Sequence, residues 1–308
     1  MPVSVGEYLA QRTDVDRPQI TPSSLSPRVI PTCPFMGQAC SKIKKHQHPV
    51  CSMRDSNGNP WIVCTDRLIP ARTNTLTPYH IAALSSVAET LFPNIYTGDV
   101  GYRRQISLRV GEGTRVVLDY VLDARGLYTG GRDRVILEVQ GGGETSSTGA
   151  MTSHIANWSR QPRPTNAFLR QNLPRVGKIP NNAWKRQLEQ IGRKYAVTQR
   201  FGGAFALVMG EVFYDYVRAL FPLRSPYFPE WEIALLSLAE STSNQPGPIP
   251  IDTVNDAIFL TFDNFIDAAI RKYPLPEQIP DPFDGGFTTL SNDEYKFEGS
   301  ERRSMDNL

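Results

Sequence analysis

Asp119, Glu138 and Gln140 are the residues of this 308-residue chain whose types and spacing point most directly to chemistry. Asp119 sits inside the apolar run VVLDYVL and Glu138 inside VILEVQ, so each acid falls where its neighbours predict burial. The loop between the runs holds Gly126, Gly130 and Gly131; folded about its middle, near Tyr128 or Thr129, it brings the two acids roughly opposite each other on adjacent antiparallel strands. Two carboxylates at close range in a poorly solvated place must take up a proton or bind a cation. Mg²⁺ is the simplest partner, because it uses one or two carboxylates and completes its octahedron with water and phosphate oxygens, which suits cleavage of a phosphodiester. Gln140 lies two residues past Glu138, and strand alternation aims both side chains at one face. Asp123 competes for the role of Asp119, but the same fold of the loop sets it opposite the region of Arg134. An isolated Asp followed by E-x-Q also arises by chance.

A second group is the four cysteines, Cys33, Cys40, Cys51 and Cys64, all within the first 64 residues and separated by turn formers. Four cysteines in a chain of this size are no disulfide framework, and thiolates in a reducing environment favour a tetrahedral metal, zinc or iron. The paired C-x₂-C spacing of structural zinc sites is absent, and four separately buried thiols are the alternative. His46 and His48, in KKHQHP, suit phosphate contact or solvent more than metal, and Lys42, Lys44, Lys45 and Arg54 make this block basic.

The elements that must position these groups follow from the pattern around them. Residues 1–32 are polar and contain Pro18, Pro22, Pro27 and Pro31, which predicts an arm with little regular structure. Thr77 and Pro78 open a helix with Ile81, Leu84, Ala88 and Leu91 on its apolar stripe. Glu89 lies off that stripe, either as a solvated acid or as a third acid reaching the metal cluster; His80 reads as structural or exposed. A strand in RRQISLRV and a turn at Gly111-Glu112-Gly113 complete a three-stranded meander with the two acid-bearing strands. The run GGGETSSTGAMTS after Gln140 is either a close approach to phosphate or a plain loop, and no Walker motif is present. Prolines and arginines over residues 155–181 predict an extended basic segment, and a helix resumes after Pro180 with Trp184, Leu188, Ile191 and Tyr195 on one stripe. Lys185, Arg186, Arg193 and Lys194 lie away from that stripe, on a face suited to a polyanion. A buried strand is expected over 205–217, with later helices over 229–240 and 258–271.

The 33 basic and 31 acidic residues nearly cancel, but their distribution is uneven. Between Arg160 and Arg200 ten Lys or Arg face the single acid Glu189, whereas eight acids crowd residues 277–308, so one segment suits phosphate and the other repels it. No apolar run approaches the roughly 20 residues of a membrane span. The N-terminus shows no secretory pattern, and a cytoplasmic protein without membrane partners is expected. The divisions expected are an arm and cysteine module over 1–72, a catalytic core over 73–275 and an acidic tail over 276–308.

The order helix, meander with D…E-x-Q, basic helix and further strand resembles the PD-(D/E)XK nuclease core, an α/β fold with a mixed sheet flanked by helices. With the cysteine block CPFMGQAC…HPVC…WIVC, the LDYVL strand and the EVQ strand, residues 30–215 are similar to the NotI-like type II restriction endonucleases. The resemblance implies a homodimer that cuts double-stranded DNA at a GC-rich palindrome using Mg²⁺, with iron held by the four cysteines. It assigns Asp119 and Glu138 as metal ligands, Gln140 to the place usually taken by Lys, and Glu89 as a helix acid. Gln140 has no titrating group, so it orients water rather than deprotonating it. A sequence-independent repair-type nuclease of the same fold and a non-catalytic DNA-binding protein are the alternatives.

Overall fold

The computed structural model describes residues 2–15, 31–40, 50–72, 76–109, 115–178, 180–221, 226–240 and 250–271. In chain order the strands and helices are β1 (Pro2–Tyr8), β2 (Gln11–Arg12), β3 (Thr32–Cys33), β4 (Gln38–Ala39), β5 (Val50–Asp55), β6 (Pro60–Ile62), α1 (Pro78–Leu91), β7 (Gly101–Arg109), β8 (Arg115–Asp123) and β9 (Arg134–Gln140). There follow α2 (Thr148–Ser159), α3 (Asn166–Leu169), β10 (Leu173–Gly177), α4 (Pro180–Phe201), β11 (Ala204–Gly210), α5 (Glu211–Arg218), β12 (Ile233–Glu240), β13 (Ile251–Leu260) and α6 (Phe262–Arg271).

The main sheet has the order β13-β12-β11-β9-β8-β7 and is mixed. β7, β8 and β9 form the antiparallel meander, β11 runs parallel to both β9 and β12, and β13 closes the far edge antiparallel. Alternation splits the inner strands between two apolar layers. Leu137, Val139, Ala206, Val208 and Leu236 meet Ala83, Val87 and Leu91 of α1 on one side. Ile136, Phe205, Leu207 and Leu235 meet Trp184 and Ile191 of α4 on the other. The result is an α/β protein with a mixed sheet flanked by helices.

A smaller sheet, β10-β1-β5-β6 with β2 beside β1, lies in the same compact unit, Met1–Ile270. Here the expectation of an unstructured N-terminal arm fails. β1 is buried almost throughout and pairs with both β5 and β10. Pro18, Pro22, Pro27 and Pro31 all follow VSVGEY in the chain, so none of them interrupts that run; the first three lie outside the described residues.

Other differences share a cause. Residues 233–240 form strand β12 rather than a helix, because a short, continuously apolar run is compatible with either and a central strand buried on both faces needs no alternation. The strand expected over 205–217 ends at Gly210 and α5 follows; Ile258 belongs to β13, and the last helix starts at Phe262. Residues 148–159 are helical, capped by the Ser147 hydroxyl, which accepts from the Ala150 N–H. The prolines at 162 and 164 take effect only beyond the helix end. The turn at 111–113, the KKHQHP loop and the tail over 276–308 lie outside the described residues. Among the described residues no helix is long and apolar enough to cross a membrane.

Candidate active site

The β8–β9 register pairs Tyr120 with Leu137 and Asp123 with Arg134. One step further along, it sets Asp119 beside Glu138 at the point where the ladder opens. Both acids line a polar cleft of about 300 Å³ that also receives Asp66, Gln140, Gln187 and Lys194.

Asp119 is fixed from two sides. Its Oδ2 accepts from the Val139 N–H at 3.2 Å and its Oδ1 from the Gln105 side-chain amide at 3.4 Å. Gln105 lies across from Asp119 on β7 with φ of +48°, a left-handed conformation that a non-glycine residue adopts at a cost of about 1–3 kcal/mol. Asp119 is thereby held from the edge strand β7 on one side and from β9 on the other.

Glu138 is buried, and burial followed by the neighbouring Asp119 carboxylate raises its pKa to about 8. The Glu138 and Asp119 carboxyl groups lie within hydrogen-bonding reach of each other. Their counter-ion is Lys194, only 5% exposed, whose Nζ pairs with Glu138 Oε2 and donates to Gln190 Oε1 at 3.2 Å. Gln140 Oε1 accepts from the Gln187 side-chain amide.

Three α4 residues therefore face the acids: Gln187, Gln190 and Lys194, spaced three and four apart. The sequence reading set Lys194 on an outward, polyanion-facing surface with Lys185, Arg186 and Arg193. Those three are exposed, with Arg193 paired to Glu189 at 2.6 Å, whereas Lys194 turns inward. The signal was available in QLEQIGRK, where a polar stripe runs beside the apolar one. Asp66 and Gln105 had no comparable signal, because one comes from a 3-10 turn and the other from an irregular edge-strand residue.

Two expectations need correction. Glu89 is exposed on α1, and α1 covers the sheet face that carries Leu137 and Val139, opposite to the one carrying Glu138; the acid takes no part in the cleft. Gly141 to Gly143 serve packing rather than phosphate: the Gly143 N–H donates to the Ile62 carbonyl at 2.8 Å, and a side chain on Gly142, at φ +79°, would strike the Phe213 ring.

All four cysteines are buried, and none forms a disulfide among the described residues. Cys33 and Cys51 have thiols pushed up chiefly by burial, with neighbouring cysteines adding to the effect; Cys51 Sγ accepts from the Ala10 N–H at 3.4 Å. Sulfur donors of this kind suit zinc or iron. Among the described residues, however, no three His, Cys, Asp or Glu side chains converge closely enough to hold an ion as they stand. The Asp119–Glu138 pair meets the lesser demand of Mg²⁺, which needs one or two carboxylates beside water and phosphate.

No protein-family profile and no curated protein sequence matches this chain.

Proposed function

We propose that this protein is a Mg²⁺-dependent endonuclease that hydrolyses phosphodiesters of duplex DNA, acting as a homodimer at a GC-rich palindrome in the manner of the type II restriction enzymes it resembles. The observation that carries the reading is the juxtaposition of Asp119 and Glu138 on neighbouring strands at the floor of a polar cleft, with Gln140 beside them. A divalent cation between these carboxylates would lower the pKa of a bound water and withdraw charge from the scissile phosphate.

The chain's own residues do the rest. Val139 N–H and Gln105 hold Asp119 in one orientation, so that little reorganisation accompanies the reaction. Gln140, aligned by Gln187, accepts a hydrogen bond from the attacking water and aims its oxygen at phosphorus. The new O–P bond forms as the opposite P–O bond to the sugar breaks; the water loses a proton to solvent and the departing oxygen gains one. Exposed Lys185, Arg186 and Arg193 on α4 suit contact with the backbone phosphates. Iron or zinc at the cysteine block would require the four thiols to draw closer together than they stand, and metal analysis of the purified protein tests that directly.

Digestion of a long plasmid tests the proposal. Discrete Mg²⁺-dependent fragments, lost on Asp119→Ala, support it. A smear points to a sequence-independent nuclease of the same fold, and binding without cutting points to a DNA-binding protein.

A further inference from the structure

The E-x-Q strand itself offers the two acids no cation, yet one reaches them from another direction. We propose that Lys194 of α4 supplies it: the ammonium is the resident counter-ion of the cation-free acid pair, is displaced when a divalent cation arrives, and then donates to a nonbridging oxygen of the scissile phosphate. This rests on the nuclease reading above.

The geometry carries the assignment. Asp119 and Glu138 bring two carboxyl groups to one spot, while Lys194 brings a single positive charge. Its Nζ has three donors, and Glu138 and Gln190 engage two of them. The stem is buried in the α4 interface, so the ammonium cannot retreat into bulk water, yet four flexible carbons let it shift within the cleft. A cation bound to Glu138 would repel the ammonium toward the open part of the cleft, where the substrate phosphate must lie. Beside it, Gln187 lines the same cleft and is buried with its Oε1 unpartnered among the described residues. No covalent bond to Lys194 forms or breaks.

The test compares the full chain with Lys194→Met and Lys194→Arg. In the first measurement Mn²⁺ alone is titrated without DNA. Because the ammonium and the ion compete for one carboxylate, K194M binds Mn²⁺ about tenfold more tightly. In the second, single-turnover plasmid cleavage with Mg²⁺ slows by about 10²–10³-fold in K194M, the loss usual for one transition-state donor, and K194R regains part of the rate. Tighter ion binding with slower cleavage is a combination that a merely structural lysine does not produce, since a disturbed site weakens both. Mn²⁺ binding in K194M that equals or falls below wild type overturns the proposal, as does unimpaired cleavage. Failure of the wild-type chain to cut DNA overturns the nuclease reading on its own lane, and the phosphate role with it; the Mn²⁺ titration still decides the competition.

Discussion

Two buried ion pairs in this molecule look alike in isolation and differ in everything that surrounds them. In the first, Arg67 and Glu7 meet twice, Nε to Oε2 at 2.7 Å and Nη2 to Oε1 at 2.9 Å, while the third arm of the guanidinium donates to the Tyr79 hydroxyl at 3.0 Å. Charges match one to one, the fork geometry is used in full, and both side chains are almost wholly removed from solvent. In the second, Lys194 faces Glu138 with Asp119 beside it, so acids outnumber the amine, and the group opens onto a cleft. A closed, balanced pair stabilises a join between elements. An open cluster with two acids to one amine is the arrangement from which the proposed exchange of counter-ion would proceed.

The adjacent residues Asp66 and Arg67 show how close the two cases lie. One 3-10 turn, Thr65–Arg67, sends Asp66 into the open cleft and Arg67 into the closed pair.

Substitutions separate the two. Arg67→Met leaves Glu7 buried without its charge partner and should lower folding stability by about 3–5 kcal/mol in urea denaturation. Glu138→Gln should do the reverse: cleavage falls by about 10²–10³-fold, while stability stays within about 1 kcal/mol because Asp119 remains to balance Lys194. An E138Q protein as unstable as R67M would erase the distinction.

His80 sharpens the picture of the closed pair. Burial first, then the charge of Arg67, hold its pKa down to about 4. The folded protein therefore resists a proton that the unfolded chain accepts at about 6.5. The His80 contribution to stability is full above pH 6.5 and should decline as pH falls from there towards 4, by about 1–3 kcal/mol. His80→Gln should flatten that slope in thermal melts across the same range. The exposed Arg193–Glu189 pair sets the lower bound of the series: R193A should cost less than about 0.5 kcal/mol.

The sequence displayed some of this openly. VVLDYVL and VILEVQ are apolar runs each broken by a single acid and joined by a glycine-containing loop, so the meander and the approach of Asp119 to Glu138 follow from local pattern alone. Thr77, Pro78 and Pro180 marked helix starts that the structure bears out. Uniform apolar runs were less readable: IALLSLAE carries no period, and only its neighbours β11 and β13 make it a strand. The α4 contribution was hidden for a different reason. A lysine on an amphipathic helix reads as solvated unless a buried carboxylate elsewhere in the chain is known to lie across from it, and that is a tertiary fact.

The three glycines after β9 have a consequence for how the chain can be cut. Gly141 and Gly143 lie so near the Ile62 carbonyl that no side chain fits between, and Gly142 forms a bridge with Ile62 itself. A fragment begun at residue 73 would lack that seam and would expose the bare backbone next to β9. The amino-terminal sheet thus behaves as a buttress for the acids, and truncation at that boundary would remove a supporting wall of the cleft along with the cysteines.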